Sequence, residues 1–494
     1  MTLTTDTPPT RTLAEMLLRP SSASGVAVPG YDRSALTPGV VHFGVGGFHR
    51  AHQALYLDDL AQRGETAWGL IGVGVHSPEM KQVLSAQDDL FTVVTRGADG
   101  ETARIVGAMI DYLYAPEEPA AVLAALTDPR VKLVTLTVTG AGYPVNPATG
   151  EFHSEDDDEV AEDLQRPRDP ASVFGFIVEA LRLRRKAGIA PFTVLSCDNV
   201  AGNGATTRAA VVGFARRRSG DLADWIDRSV TFPSSMVDRI TPGTAPADRD
   251  EIAARLGIAD GWPVITEPFS QWVVEDRFCN DRPPLDRVGV RFVDDVRPYE
   301  LMKTRLLNGG HCALGYLGLL LGYRCSDEAM RDERVERFVS GLMDQVIPLL
   351  PPVDGTDLRE YRDLLIHRFS NRHIGDRLER LAGRGSTKLS SYVAPTIAEA
   401  RRRGTDWSML AVTIAAWIVL LGAEGEGTAP VADPLRDELA PLAARGDVRG
   451  VLSAVRGLAW IADDAEVVTA IERAVAAISS DGVDAVLRFT AGAR

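Results

Sequence analysis

The chain is poor in the residues that staple or anchor a protein. It has four cysteines in 494 residues, Cys197, Cys279, Cys312 and Cys325. They are scattered and form no CxxC pair, which argues against a disulfide framework and a zinc ribbon. No HExxH occurs and no His, Asp and Glu cluster has metal-ligand spacing, so no metal is expected. Cations are outnumbered: 53 Lys and Arg stand against 68 Asp and Glu, a formal charge of −15. That balance argues against nucleic-acid or anionic-membrane partners. Long apolar runs are missing too. The longest uncharged one, Trp407–Ala423, has 17 residues, short of the ~20 that span a bilayer. Met1–Gly25 holds no apolar core of a signal peptide. The expectation is a cytoplasmic protein with a small-molecule partner. No long heptad stripe is evident, and a monomer is expected.

The length suffices for two or three domains. Residues 1–30 read as a loose arm with a short helix at Arg11–Leu18. Val40–Phe43 reads as a buried strand running into Gly44-Val-Gly46-Gly47-Phe48-His49-Arg50, and Ala51–Gln62 as a helix. Strand, glycine turn and helix open a dinucleotide-binding βαβ unit. Gly44 and Gly46 let backbone N–H groups approach a pyrophosphate. The third fingerprint glycine is replaced by His49. Gly69–Val75 is the next strand. A carboxylate just after it would bind an adenosine ribose and favour NAD over NADP, but only the late Glu79 follows. Further strands are expected at Phe91–Thr95, Val131–Thr139, Phe192–Cys197, Val264–Trp272 and Val288–Phe292. From Asp294 onward apolar residues recur at helical spacing. The fold class expected is an α/β Rossmann-type N-terminal domain, residues 1–294, with a mostly α-helical C-terminal domain, residues 295–494.

One stretch organises the second domain: Pro298–Leu321, PYELMKTRLLNGGHCALGYLGLLL. At about 100° per residue, with Lys303 at zero, Glu300 falls near 60°, His311 near 80° and Asn308 near 140°. Polar groups on one arc of an otherwise apolar helix suggest a site. Gly309 and Gly310 each weaken a helix by ~1 kcal/mol, which makes sense where something must approach the backbone closely. Arg380 and Lys388, with Gly383 and Gly385 between them, are two further cations suited to a hydroxyl-rich or carboxylate-bearing ligand.

The run Lys303-x-Arg305-x-Leu307-Asn308-x-x-His311 matches the K-x-R-x-L-N-x-x-H motif of the polyol-specific long-chain dehydrogenases/reductases, and the chain resembles that family from about Val41 to its C-terminal helices. Phe43–Arg50 with the following AHQ resembles the family's amino-terminal signature, Cys197-Asp198-Asn199 and Met236–Pro242 two further blocks. The resemblance implies an NAD(P)-dependent oxidoreductase interconverting a polyol and a ketose, D-mannitol and D-fructose first, with hexuronate reduction or arabinitol oxidation as alternatives. NAD is the cofactor it implies, with NADP open. The implied cofactor residues are Phe43, Gly44, Gly46, Gly47, Phe48 and Arg50. Lys303 is then the general acid/base, Asn199 and Asn308 polarise the reacting oxygen, and His311 orients the substrate. Asp238, Arg380 and Lys388 contact substrate, and Glu300 relays the proton. Burial would favour the neutral amine that such a base needs. Relatives commonly carry a glutamate in the turn after Thr139, where this chain has small residues. A non-catalytic dinucleotide-binding protein is the reading from another class.

Overall fold

The computed structural model describes residues 11–19, 25–146, 149–153, 158–423 and 431–489. Two compact units divide at Val296 and Arg297. The first is built on a five-stranded parallel sheet. Its strands are β1 (Pro38–Phe43), β2 (Gly69–Gly74), β3 (Met109–Tyr114), β4 (Leu133–Leu136) and β5 (Thr193–Ser196), in spatial order 3-2-1-4-5. Every neighbouring pair is parallel. This is the order of a dinucleotide-binding sheet, in which ligands sit beyond the carboxyl ends of the strands. β1 is buried at five of six positions, as a central strand covered on both faces must be.

The helices follow from local signals. α1 (Gly47–Ala51) and α2 (Gln53–Gln62) leave β1, broken at His52 (φ −129°, ψ −90°) where one continuous helix was expected. α3 (Glu79–Ala86) follows β2, and α4 (Pro119–Thr127) follows β3. α5 (Val173–Ala187) starts at Ser172, whose hydroxyl accepts the Gly175 N–H, and stops at Gly188 in the left-handed region. α6 (Asn203–Arg218) follows β5.

Phe91–Gly97 is a strand as expected, but it lies in a separate four-stranded sheet with Gly100–Val106, Val264–Thr266 and Val26–Ala27. A three-stranded sheet joins Ser235–Asp238, Gln271–Glu275 and Arg291–Val293. Val264–Trp272 is thus two strands rather than one. The arm is docked where it is described. Arg11–Thr12 pairs with Ile258–Ala259, Thr12 and Glu15 form a capping box, and Leu13 and Met16 are buried. Met1–Thr10 lie outside the described residues.

The second unit is helical. α7 (Arg297–Met302) runs through a π-helical turn, Lys303–Asn308, into α8 (Gly309–Leu320). Then come α9 (Glu333–Val346), α10 (Leu358–Phe369), α11 (Leu378–Ala382) and α12 (Gly385–Lys388). A second π-turn, Leu389–Val393, leads into α13 (Ala394–Arg403). α14 (Ser408–Gly422) is apolar nearly all round and buried, packing on α8 and on α15 (Ala465–Asp481). Among the described residues no helix is long and apolar enough to cross a membrane.

Candidate active site

In the first unit the site begins at the glycine turn. Gly44 sits at φ +93°, and a Cβ there would lie 2.2 Å from the Thr137 carbonyl oxygen. Gly44 is glycine because the turn and its neighbour demand it. Gly46 and Gly47 differ. A Cβ on either meets nothing nearer than 4.0 Å. Nothing inside the protein requires glycine at these two positions, while a ligand seated against the backbone would. Gly46 caps α1 without a side-chain hydrogen bond, so the first N–H groups of that helix have no side-chain acceptor there. An open glycine cradle at the carboxyl edge of a 3-2-1-4-5 sheet fits a dinucleotide pyrophosphate.

The turn is braced from below by histidines. His42 Nδ1 bonds Thr135 Oγ1 (2.7 Å), and Nε2 bonds Thr137 Oγ1 (3.0 Å) and the Gly44 carbonyl (3.2 Å). Thr137 Oγ1 also donates to the Gly44 carbonyl, at 2.7 Å. His49 stacks on His42 and is buried. Burial pushes His42 down to about 3 and His49 well below the ordinary imidazole value.

Two expected cofactor residues prove to be turned inward. Phe43 is fully buried in the sheet core, packed toward Phe176. Arg50 is buried, donates to the Trp262 carbonyl and lies over the Phe91 ring at 5.6 Å. Both side chains lie in the core beneath the turn. Gly44, Gly46, Gly47 and the half-buried Phe48 remain at the surface of the turn.

At the end of β5, Asp198 accepts the N–H groups of Val138 (3.1 Å) and Thr139 (2.8 Å) and the Tyr143 hydroxyl (2.7 Å). This carboxylate organises the turn after the fourth strand, and Thr139 there adopts φ +66°. Asn199, next in sequence, is exposed. Asp238 is buried at the end of its strand. Arg239 donates to the carbonyls of Glu267 and Ala51, tying the late strands to the end of α1.

In the second unit, Lys303 is 5% exposed and opens the first π-turn. A π-turn rotates each residue less than an α-helix does, so the 100° wheel drawn from the sequence does not hold across Lys303–Asn308. Such turns recur at functional sites. Glu300 is half-buried one turn earlier. Arg305 reaches the Leu349 carbonyl at 3.4 Å. The glycine pair has a packing cause at one position: a Cβ on Gly310 would lie 2.7 Å from Met343 Cε. Gly310 admits α9, and no ligand need be invoked there.

His311 packs against Phe369, 4.4 Å between ring centroids. Its Nε2 is buried and meets no hydrogen-bond partner among the described residues. Its pKa lies well below the ordinary value, first through burial and then through Arg380, Lys388, Arg368 and Lys303. His311 is therefore a neutral imidazole beside Arg380, Lys388, Arg368 and Lys303, with a nitrogen left to bond a ligand.

Arg380 forks onto the buried carboxylate of Asp376, at 2.7 and 2.5 Å. The Lys388 ammonium donates to the Arg380 (3.2 Å) and Leu381 (2.8 Å) carbonyls at the end of α11. Burial lowers the Lys388 pKa. Burial raises the pKa of the Tyr392 hydroxyl to about 12. Tyr392 lies on the second π-turn, and the two π-turns pack together. Arg368, Asp376 and Tyr392 were not singled out in the sequence. The Asp376–Arg380 pair carries the readable i, i+4 signal; Arg368 and Tyr392 are brought in by packing alone. Among the described residues no group of three or more His, Cys, Asp or Glu is arranged to hold a metal.

A parallel 3-2-1-4-5 sheet with a glycine cradle, followed by a helical unit bearing a buried lysine and a half-buried asparagine and histidine, defines a two-domain Rossmann-type dehydrogenase. The chain belongs to the mannitol dehydrogenase family: models of the family's Rossmann domain and C-terminal domain match residues 38–287 and 295–479. It is 43% identical over 432 residues to mannitol 2-dehydrogenase of Emericella nidulans, covering 85% of this chain and 86% of the relative. It is 45% identical over 396 residues to that of Cereibacter sphaeroides, covering 79% and 82%. Mannitol 2-dehydrogenase of Pseudomonas fluorescens, solved as a ternary complex with NAD and D-mannitol, superposes with a TM-score of 0.90 at 40% identity, covering 98% and 100%. A substrate-free D-sorbitol dehydrogenase superposes with a TM-score of 0.87 at 37% identity, covering 97% and 100%.

Proposed function

We propose that the chain is an NAD-dependent polyol dehydrogenase that interconverts D-mannitol and D-fructose. The observation that carries this reading is the unpartnered, buried Nε2 of His311 beside Lys303 and Asn308 on one π-interrupted helix. Likeness to relatives named mannitol 2-dehydrogenase supports the substrate, and the cradle at Gly46 and Gly47 fits the cofactor.

NAD, when bound, supplies the hydride acceptor. Lys303 removes the proton from the hydroxyl being oxidised, its burial favouring the neutral amine. Asn308 donates an amide N–H to the oxygen as negative charge grows on it, and Asn199 is assigned the same work. His311 orients a neighbouring hydroxyl. Arg380 and Lys388 bind the far end of the polyol, Asp238 contacts it, and Glu300 passes the proton to solvent. In the reverse direction Lys303 returns the proton to the ketone oxygen.

The test is a panel of D-mannitol, D-sorbitol, D-arabinitol and D-mannonate with NAD. The proposal requires the highest kcat/KM with D-mannitol and fructose as product. D-sorbitol is the second reading, favoured by the superposition on D-sorbitol dehydrogenase; a tenfold or greater preference for it would replace mannitol. Preference for mannonate would make the chain a hexuronate reductase. Cofactor binding with no turnover on the whole panel would leave a non-catalytic dinucleotide-binding protein.

A further inference from the structure

A lysine ammonium carries three N–H donors. Two of those on Lys388 go to the Arg380 and Leu381 carbonyls at the end of α11. The direction of the third follows from where the backbone of α12 lies. That helix is a single turn, Gly385–Lys388, too short to hold itself in water. What fixes it must lie outside it.

Two sets of contacts do so. The first is a wall. Gly385 is buried, and a Cβ there would run into the indole nitrogen of Trp417 on α14 and lie 2.9 Å from the Tyr316 hydroxyl on α8. The second is a strap, residues 431–433. The Ala432 carbonyl accepts the Arg384 N–H at 2.6 Å. The Asp433 carboxylate accepts the Ser386 N–H at 2.8 Å and the Ser386 hydroxyl at 2.6 Å. It also accepts the Leu435 N–H at 3.0 Å, and Arg436 reaches back to the Val431 carbonyl at 3.4 Å, so the strap is tied to the helix Arg436–Ala444. Ser386 is buried, which makes its bonds to an ionised carboxylate the strong kind. Arg384 takes φ +60°. A residue with a Cβ keeps that conformation only where its surroundings hold it.

We propose that Asp433 is a positioning residue: through Ser386 it fixes α12 and sets the direction of the Lys388 ammonium. Its effect on the polyol rests on the reading of Lys388 as a substrate contact. The test uses the full chain. Asp433→Ala is expected to raise KM for D-mannitol about tenfold while kcat and NADH affinity stay within about threefold. In a Lys388→Ala background the same change should alter KM by less than about twofold. A second readout needs no turnover. The Lys388 amide donates to the Arg384 carbonyl at 3.0 Å, and its hydrogen exchange should quicken about tenfold or more in Asp433→Ala. Unchanged exchange overturns the proposal. So does a KM effect as large without Lys388 as with it, or a joint loss of kcat and NADH affinity, since Asp433 would then act on the fold at large. If Asp433→Ala does not fold, Ser386→Ala decides; it removes one of the two bonds and should raise KM about threefold with quicker exchange. Absence of both effects overturns the proposal. Quicker exchange in Asp433→Ala, with KM unmoved by Lys388→Ala, would count against Lys388 as a substrate contact and not against the strap.

Discussion

The imidazoles of His42 and His49 are stacked, 3.5 Å between centroids and 9° between planes. Both are buried, and His49 fills the place of the third fingerprint glycine. Two stacked imidazoles cannot both charge in a dry site, and both are held neutral. The sign of the pH dependence follows. Below about 6.5 the unfolded chain takes up protons that the folded chain refuses. This part of the stability is complete above that pH and is lost as pH falls toward about 3, the value for His42. Each imidazole contributes a slope of up to about 1.4 kcal/mol per pH unit. Urea unfolding at pH 7, 6 and 5 should show the decline, and His49→Phe should flatten it. An unchanged slope in that variant would show that His49 charges freely in the folded chain.

The two kinds of glycine in the turn separate folding from binding. Gly44→Ala forces a Cβ against the Thr137 carbonyl at a backbone angle few side chains adopt, and should cost about 2–4 kcal/mol of stability. Gly47→Ala meets open space within the protein and should change stability by less than about 1 kcal/mol. Its methyl group enters the cradle, so NADH affinity should fall about tenfold or more. Thermal melts with NADH fluorescence titration read both quantities. Retained NADH affinity in Gly47→Ala would remove the dinucleotide from this cradle.

Much of this was readable in the chain. VVHFGVGGFHRAH announces a buried strand, a glycine turn and a helix, because only glycine fits φ +93° at Gly44 and a parallel strand is apolar on both faces. The K-x-R-x-L-N-x-x-H spacing pointed to the helix that the proposed function makes catalytic. The sequence did not announce the π-turn at Lys303–Asn308. One extra residue in a helical turn depends on packing against other elements, and no residue type encodes it. The same limit hid the inward turn of Phe43 and Arg50, since facing depends on which sheet covers the strand. The strands Gly100–Val106 and Met109–Tyr114 were missed because ETARIV and MIDYLY mix polar and apolar residues without the long apolar run of a central strand. The Lys388 ammonium bonding two carbonyls reflects how α11 ends, which the intervening glycines do not reveal.

Lys303→Ala should lower kcat about a thousandfold or more while NADH affinity stays within about threefold. Activity within a few-fold of wild type would exclude Lys303 as the base. Asn308 and Tyr392 lie on the two packed π-turns, and if the Tyr392 hydroxyl positions the Asn308 amide, their substitutions are coupled. Asn308→Ala should lower kcat about a hundredfold. Tyr392→Phe should lower it about tenfold at unchanged KM for the cofactor, and should have little further effect in the Asn308→Ala background. Additive losses in the double variant would show that Tyr392 acts independently of Asn308.

Arg380 and Asp376 decide what the substrate cations are for. The Asp376 side chain is 2% exposed and its partner's is 46% exposed. Removing the arginine leaves a buried carboxylate unpaired, a loss of about 3 kcal/mol. Arg380→Ala should therefore lower Tm, and a weaker substrate affinity in that variant alone proves little. Asp376→Asn separates the two roles. It keeps the cation and lets an exposed guanidinium turn to water at little cost, about 1 kcal/mol or less. If Arg380 binds the polyol, Arg380→Ala raises KM for D-mannitol more than about tenfold. Asp376→Asn, which only loosens the fork, then raises KM by a smaller factor at a Tm closer to wild type. Equal KM values in wild type and both variants would leave Arg380 as the brace of α11, with Lys388 the remaining cation for the substrate.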